Sequence, residues 1–539
     1  MSKFAILRSR LDKAETIRRQ YEAIWKDITY YVAPNRSNFI STNSNHYASK
    51  VVPNIYNTTA IQAAEMLAAT LYSGLTNDST KWFSLKVKDL ELQNVDSVKR
   101  FLETASNKML EIFTSPESGF SQQNHELLLD LVTYGTGCIF LEESEKDVIK
   151  FSSRHLNEIY IVEDYTGIVD TVFRKFNLTA RQLKQQFGDV VDNIPLIKGA
   201  LESDPDREVE IVHAIYPNSD YSDSGKAKGR FKYNSCYLMG DMETVIMEGH
   251  FYELPYLVPR WAKRVGEIYG RSPAWNAIAD IKSVNTMEET MLKASQKRVN
   301  PPLLVADDGV LQPVRTYPNA LIYGGLDSTN YQARIQPLNM VGDLSINESM
   351  IEKKNKSIRD IFYIDQLVFR DGPQMTATEV LQRQEESLRL IGPQVSRIQS
   401  EYLSPLINRV FSIMIRRNML GEIPQELKGI NIDIDYKNPL HRLQKMESVN
   451  AIGRTLQAVV PFLQIDPSIM DVFNPSKTVR YVADTMGVPL ELVRSEQEVA
   501  TMQQQKQAAM QMQQQMEMLK TGSEAGKNIG SMMSDLQGQ

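Results

Sequence analysis

Helical and strand patterns alternate in blocks along this sequence, and this segregation constrains the fold more than any single motif. From Leu7 to Tyr31, apolar residues recur every three or four positions, which predicts an amphipathic helix that Pro34 ends. From Cys138 to about residue 265, short β-branched or aromatic segments alternate with turn residues, a pattern typical of sheet. Helical periodicity returns at Ala274. Such blocks predict an α+β fold that is mainly helical.

Further segments extend this pattern on both sides of the sheet-like block. Apolar spacing predicts helices over Asn54–Leu71, Val98–Phe113, His125–Tyr134 and Pro439–Val499. Alternating residues predict strands over Trp82–Leu85 and Ile430–Tyr436. Beyond Val499 the chain is rich in Gln and Met and ends in Gly and Ser, so this end is of low complexity.

Two predicted helices bracket a short insert in the middle of the chain. Helical spacing covers Ala274–Arg298, strand and turn residues continue to about Leu338, and helical spacing resumes over Leu344–Tyr363. A turn then interrupts the chain at Asp371, Gly372 and Pro373.

A long predicted helix follows this turn, from Thr376 to Met419. It contains Gly392-Pro393 and Pro405. Because proline removes a backbone donor and clashes with the preceding turn, we expect kinks at these positions.

Length and composition set the class of the protein. The chain has 539 residues, too many for one ordinary core, and is 42% hydrophobic and 23% charged, as in globular proteins. The net charge of −6 argues against a uniformly basic surface that grips nucleic acid. Cys138 and Cys236 lie far apart, which argues against a disulfide framework and fits a reducing cytoplasm. No apolar run reaches the length of a signal peptide or a membrane span.

Motifs that carry catalysis are missing or weak. There is no Gly-Lys-Ser/Thr loop for an NTPase, no His-Glu-x-x-His and no Gly-x-Ser-x-Gly. Gly135-Thr136-Gly137 is interpreted as a turn that needs positive φ, not as a phosphate loop. Asp307-Asp308-Gly309 and Asp433-Ile434-Asp435 match no calcium loop. We therefore predict no catalytic residue, no metal and no cofactor.

One basic cluster has two possible interpretations. It lies in the predicted helix before the turn and comprises Lys353, Lys354, Lys356 and Arg359, with Arg370 further along. Such a cluster is usually a solvated helix face, here partly neutralised by Glu352 and Asp360. In a ring, however, each lysine repeats around the axis and forms a band that contacts DNA phosphates without reading sequence.

The order of several motifs resembles the podoviral portal, or bacteriophage head-to-tail connecting, protein family over nearly the whole chain. None of these motifs is catalytic, and the specificity lies in their succession. They are Trp25, Tyr31 and Pro34; Leu75-Thr76 before Trp82-Phe83-Ser84-Leu85; Gly135-Thr136-Gly137; Val169-Asp170 with Arg174 and Phe176; Pro259-Arg260-Trp261; Gly266 to Pro273; Met375 to Val380 with Arg383; and Ser495-Glu496 with Glu498-Val499. Asn77-Asp78 stand where relatives often carry prolines.

The resemblance implies a dodecameric ring whose subunit has wing, stem, clip and crown regions. Laid onto this sequence, the regions are the wing at 1–273, the first stem helix at 274–298, the clip at 299–340, the second stem helix at 341–363, the tunnel loop at 364–376, the long kinked wing helix and strand at 377–438, the crown at 439–500 and the Gln/Met-rich C-terminal helix and tail at 501–539.

The resemblance also implies a passive channel for double-stranded DNA at one capsid vertex, used in packaging and ejection. The implied partners are the terminase large subunit, then tail adaptor or tube proteins, together with the major capsid and scaffolding proteins. The protein would assemble in the host cytoplasm, be part of the virion and have no contact with a membrane.

Two other classes of protein remain open from the sequence. One is a nucleic-acid-processing packaging enzyme with an unfamiliar site, such as a nuclease. The other is a helical scaffolding protein without a pore, which need not form a closed ring.

Overall fold

The chain forms two compact units, Met1–Asn438 and Pro439–Gln539. The computed structural model describes residues 3–34, 36, 54–89, 92, 95–144, 148–218, 231–305, 326, 333, 335–338, 345–367, 391–427, 432–436, 449, 451–455, 457, 474–486, 499 and 501–502.

Helices and strands occur in the order that the block pattern predicts. The helices are α1 (Lys3–Tyr31), α2 (Thr59–Leu75), α3 (Asp96–Thr114), α4 (Phe120–Tyr134), α5 (Ala180–Phe187), α6 (Pro195–Ser203), α7 (Pro273–Val299), α8 (Ser345–Ile361), α9 (Ile364–Leu367), α10 (Ser404–Arg416) and α11 (Pro475–Met486). The strands are β1 (Phe83–Val87), β2 (Ile139–Ser144), β3 (Val148–Ser153), β4 (Ile159–Glu163), β5 (Val169–Thr179), β6 (Glu208–Pro217), β7 (Tyr233–Met239), β8 (Val245–Phe251), β9 (Tyr256–Leu257), β10 (Leu303–Val305), β11 (Ile335–Pro337) and β12 (Ile432–Tyr436). The predicted α+β class is confirmed.

A five-stranded antiparallel sheet, in the order β4-β5-β6-β7-β8, forms the centre of the first unit. Side chains alternate between its faces. Phe176 and Ile211 pack on one face with α5 and α6, whereas Phe173 and Val212 pack on the other with the start of α1. Burial on both faces explains why the strands are apolar at consecutive positions.

Helices α5 and α6 lie inside the block that the sequence pattern assigns to sheet. The reason for the helical turn is local: Thr179 accepts a hydrogen bond from the backbone N–H of Gln182, and the Gln182 side chain accepts one from the backbone N–H of Thr179. This capping box starts α5. Leu183 and Ile197 are then buried on the sheet, so the interpretation of 142–265 as strands and turns alone was wrong.

Helix α1 packs against residues much later in the chain. The Trp25 indole N–H donates to the carbonyl oxygen of Tyr134 at 3.3 Å, and its ring contacts Tyr269 at 5.2 Å between centroids. The Arg18 guanidinium donates to Asn157 at 3.1 Å. Both Trp25 and Arg18 are buried. The amphipathic helix predicted from Leu7 is confirmed and starts four residues earlier, at Lys3.

The long helix predicted after the turn at Asp371 contains a π-helical turn. The chain is helical from residue 391, and Gln399–Leu403 forms a π-helix in which the Ser404 N–H donates to the carbonyl of Gln399. Pro405 has no N–H to continue the regular pattern, which explains the irregularity at this place. The helix ends at Arg416, before the predicted Met419, and Asn418 has φ +54°.

Two other predicted boundaries were wrong. Helix α2 starts at Thr59 and not at Asn54, because Asn57 makes tertiary hydrogen bonds in the preceding segment. Residues 364–376 were predicted to be a loop, yet they begin with the short helix α9, separated from α8 by Tyr363 at φ +59°. In the second unit, 451–455 and α11 are helical, as the pattern from Pro439 predicts.

Candidate functional site

Helices α7 and α8 run antiparallel along each other. Asp280, early in α7, accepts hydrogen bonds from Lys354 Nζ at 2.5 Å and from Ser357 Oγ at 3.0 Å, late in α8. Further along α7, Met291 shares a groove of about 360 Å³ with Ile351, which is earlier in α8. The predicted order of helix, insert and helix is therefore confirmed, with α8 beginning at Ser345.

Two residues of the predicted basic cluster make ion pairs with acidic residues, and two do not. Lys354 pairs with Asp280, and Arg359 Nε lies 3.3 Å from Asp365 Oδ2. The Lys354 ammonium holds the pKa of the Asp280 carboxyl below its usual value. Lys353 and Lys356 are exposed, and neither makes an ion pair with any other residue that the structure describes. They lie about one turn apart on α8 and present their ammonium groups to solvent.

A group of amides fastens these helices to the segment before α2. Asn285 Oδ1 on α7 accepts from the backbone N–H of Tyr56 at 2.7 Å. The Asn57 amide donates to Glu288 on α7 at 2.6 Å and to Asn355 on α8 at 3.1 Å. Because Asn57 bonds to both helices at once, it fixes the position of Glu288 on α7 relative to Asn355 on α8.

The insert between α7 and α8 includes a small antiparallel ladder. Leu303–Val305 pairs with Ile335–Pro337, and an isolated bridge joins Leu326 to Ala333. Leu304 is 53% exposed and Leu326 is 62% exposed. A two-stranded ribbon with exposed leucines is marginally stable by itself, so this insert has apolar surface available for a partner.

The start of α7 is held where two motifs of the sequence meet. The backbones of Gly135 and Gly270 approach so closely that a Cβ on Gly135, which has φ +85°, would lie 2.4 Å from the Gly270 carbonyl oxygen. Gly270 N–H donates to Thr136 Oγ1 at 2.9 Å. Ser272 caps α7 by accepting from the Trp275 N–H at 2.9 Å and donates to the Thr133 carbonyl at 2.6 Å. The predicted turn at Gly135 is confirmed, and its partner is the segment that starts α7.

Arg260 links this junction to the π-helical turn. Its guanidinium is buried, and it donates to Glu401 at 2.8 and 3.0 Å, to Glu163, and to the carbonyls of Gly167 and Ile268 at 3.0 and 3.1 Å. Burial lowers the pKa of Arg260, but Glu401 and Glu163 outweigh it and the pKa lies above its usual value. All five N–H donors are used, which favours arginine over lysine here.

Several predicted site residues lie outside the described residues. They are Arg370 and the tunnel-loop residues Asp371, Gly372 and Pro373. Asp307, Asp308 and Gly309, which match no calcium loop, also lie outside the described residues.

The sequence interpretation missed the residues that build the junctions. Asn57, Asn285 and Glu401 belong to no motif that was singled out. Asn285 offered a signal, because it follows Ile281 by four positions and so places an amide in the apolar stripe of α7. It is only 7% exposed and is hydrogen-bonded on both sides of its amide.

Within the described part of the chain, no group of three or more His, Cys, Asp or Glu side chains is placed to hold a metal ion. Asp435 instead pairs with Lys86 on the neighbouring strand at 2.9 Å. Among the same described residues, no helix is both long and apolar enough to cross a membrane.

These features occur in a chain that belongs to the bacteriophage head to tail connecting protein family, whose model matches residues 5–493. The family predicted from the order of motifs is therefore confirmed.

Individual relatives match over almost the full length. The chain is 29% identical to the probable portal protein of Bordetella phage BPP-1, over 99% of this chain and 96% of the relative. It is 27% identical to the portal protein of Salmonella phage epsilon15, over 97% and 94%. A chain in the virion of a native gene transfer agent particle is 12% identical, with a TM-score of 0.33 over 75% of this chain and 86% of the other.

Proposed function

We propose that this head-to-tail connecting protein forms a dodecameric ring at one capsid vertex, with a central channel for double-stranded DNA. DNA enters through it during packaging and leaves through it at ejection. The terminase large subunit docks on the clip first, and tail adaptor or tube proteins replace it. Major capsid and scaffolding proteins contact the ring during assembly in the host cytoplasm, and the ring remains in the virion.

Exposed apolar surface on the stem and clip supports the assembly. Seven of the seventeen large apolar side chains that are exposed in the described residues fall between 292 and 350, so this part is left uncovered by its own chain. They are Leu292, Val299, Leu303, Leu304, Leu326, Ile346 and Met350. Several exposed large apolar side chains in one part of a chain are typical of an interaction surface. Neighbouring copies of the same helix pair would cover it.

The regions of the proposed subunit follow the described elements. Helices α7 and α8 are the two stem helices, and β10 with β11 belongs to the clip. The five-stranded sheet with α1 to α6 and the helix around the π-turn form the wing. The tunnel loop is assigned to 364–376 and the crown to 439–500.

Lys353 and Lys356 are the proposed DNA contacts on the stem, because they are the members of the basic cluster without an ion pair among the described residues. Repeated around a ring, they form a band that attracts phosphates without arresting DNA. Replacing both with Ala should lower DNA retention or packaging several-fold and leave assembly unchanged. Lys354→Ala is the matched control, since its ammonium already pairs with Asp280. Loss of rings in the double variant would instead assign the two lysines a structural role.

The proposed role is passive and non-enzymatic, which agrees with relatives that are named portal proteins. Nuclease and ATPase assays on the purified full-length chain test this. Cleavage or hydrolysis that survives further purification and scales with protein concentration would replace the proposal with a packaging enzyme.

Electron microscopy of the purified protein tests the ring itself. Class averages with twelvefold symmetry and a central hole are the expected result. A solid or open-ended particle would favour a scaffolding role, and another closed symmetry would correct the number of subunits.

A further inference from the structure

Two neighbouring turns in the wing expose apolar side chains at their tips. The β4–β5 turn carries Tyr165, which is 100% exposed, and Ile168, which is 63% exposed. The turn from Arg264 to Glu267 carries Val265, which is 105% exposed. Such exposure of three large apolar residues, two of them completely exposed, is unusual for a surface that faces only water. We call these three residues the platform.

The platform is rigid. Asp164 Oδ1 accepts hydrogen bonds from the backbone N–H groups of Thr166 and Ile168, at 2.8 and 3.0 Å. The two turns are tied together because Lys263 Nζ and Arg260 Nη2 both donate to the Gly167 carbonyl, at 3.2 and 3.0 Å. Because these bonds order the backbone of both turns beforehand, binding of a partner requires little further loss of backbone entropy.

A cavity of about 750 Å³ opens beside the platform. Both turns line it, together with Tyr233 and Tyr252 from the sheet and Asn408 from α10. A cavity of this size accepts several side chains of a partner. A partner could therefore contact the exposed platform residues and also insert side chains into the cavity beside them.

The opposite end of β5 carries a second exposed apolar surface. There the segment with α5 and α6 exposes Val190 and Leu196, by 47% and 48%. We call this segment, residues 180–204, the cap. The eleven residues of β5 place it about 35 Å from the platform. Outside 292–350, the first unit has seven exposed large apolar side chains in its described residues, and five of them lie on the platform or the cap.

Exposed charges that make no ion pair with another described residue differ in balance between the two surfaces. At the platform and its cavity they include Lys232 and Arg264, whereas on the cap Glu202 and Asp204 outnumber Lys198. Opposite charges of this kind align two surfaces and disfavour other pairings.

We propose that the platform of one copy receives the cap of the next copy in the ring. Two different surfaces at opposite ends of one body form a head-to-tail contact, which is the kind that generates a closed ring. Leu196 and Val190 enter the cavity beside Val265, and Glu202 and Asp204 meet Arg264 and Lys232. This contact rests on the proposed ring, and adds to it a wing interface distinct from the stem.

Site-directed cross-linking tests the contact. The full-length chain with Val265→Cys and Leu196→Cys is purified and treated with a short bis-maleimide; the native Cys138 and Cys236 are buried and should not react. A ladder of covalently linked chains is expected. The matched control pairs Leu196→Cys with Ile6→Cys, another exposed apolar position, and should give single chains. Rings that are intact by microscopy but give no ladder would overturn the contact and leave the proposed function standing. Absence of rings from the unaltered protein would overturn both.

Charge reversal provides an independent test. Either Lys232→Glu with Arg264→Glu, or Glu202→Lys with Asp204→Lys, should raise the concentration needed for half-assembly at least tenfold. Combining all four substitutions should restore assembly. A combined variant that assembles no better than the two parents would overturn the pairing, and circular dichroism identifies any variant that has failed to fold.

Discussion

The proposed wing and the proposed stem differ in how many of their polar and apolar groups have partners within the same chain. Around Arg260, every guanidinium donor has a partner in the same chain, and the neighbouring glycine backbones are in contact. Along α7 and α8, polar contacts fix one level of the helix pair, while Leu292, Ile346 and Met350 stay exposed. The polar groups around Arg260 are therefore satisfied within one chain, whereas the proposed stem keeps apolar side chains exposed, and we expect neighbouring copies to cover them.

The largest effect should come from removing Arg260. Arg260→Ala removes a buried cation that contacts both Glu163 and Glu401 and leaves these carboxylates only Lys263 and Arg397, which should cost about 3 kcal/mol of unfolding free energy. Chemical denaturation followed by tryptophan fluorescence measures this. Lys354→Ala, in the stem, serves as the comparison and should cost below about 1 kcal/mol because that pair is partly exposed. If Arg260→Ala and Lys354→Ala lowered the free energy of unfolding by similar amounts, the proposed difference between the two regions would be wrong.

Gly135→Ala should produce the next largest effect. The residue has φ +85°, and its new Cβ would overlap the Gly270 carbonyl, so a loss of about 3 kcal/mol is expected from strain and overlap together. Gly199→Ala is the matched control, because that glycine lies inside α6 with nothing within 4 Å of a new Cβ. It should raise stability by about 0.5–1 kcal/mol. Thermal unfolding of the two variants checks the sign of each change.

An exposed leucine of the clip should matter for assembly and not for folding. Leu304→Asp should leave the unfolding midpoint of the single chain unchanged, because the side chain is 53% exposed. In a ring it should weaken each contact by about 2 kcal/mol through lost apolar burial. Mass photometry across a dilution series measures the shift. Met247→Asp, at an equally exposed position of the wing sheet, should leave the ring intact.

The smallest effect concerns the ion pair between the stem helices. Because Lys354 holds the pKa of Asp280 below its usual value, the pair stabilises the fold above the unfolded-state pKa of about 3.9. The stabilisation is lost as pH falls through the lower pKa of the folded state. Asp280→Asn should therefore lower the free energy of unfolding near pH 7 by less than about 1 kcal/mol, which is measured as a small decrease in the thermal midpoint. The difference from the unaltered protein should disappear below about pH 3. A constant difference at all pH values would exclude the ion pair as its cause.

The sequence predicts elements that depend on local pattern. The end of α1 before Pro34 and the bounds of α7, predicted to within one residue, follow from apolar spacing, and the turn at Gly135 follows from glycine itself. Contacts between distant segments were not predictable, since nothing near Asn57 indicates that it bonds to Glu288 and Asn355.

Within the basic cluster, too, the contacts of each residue with distant segments could not be predicted from the sequence. Four neighbouring cations look equivalent in the sequence, and only the antiparallel packing of α7 on α8 separates Lys354, which faces Asp280, from Lys353 and Lys356, which do not. The missed helices α5 and α6 were different, because the Thr179–Gln182 capping box was visible in the sequence. The strand-like segments before and after residues 180–204 favoured a prediction of sheet for the whole block, although the capping box indicates a helix.

The packing of α1 has a consequence for biosynthesis. This helix is translated before the residues that contact it, which include Tyr134, Asn157 and Tyr269. At about 5–20 residues per second, roughly 10–50 s of translation separate the helix from Tyr269. Until then the apolar stripe from Leu7 to Ile28 lacks part of its native covering, so we expect a nascent-chain chaperone to bind it. The helix thus completes its native contacts long after it is made.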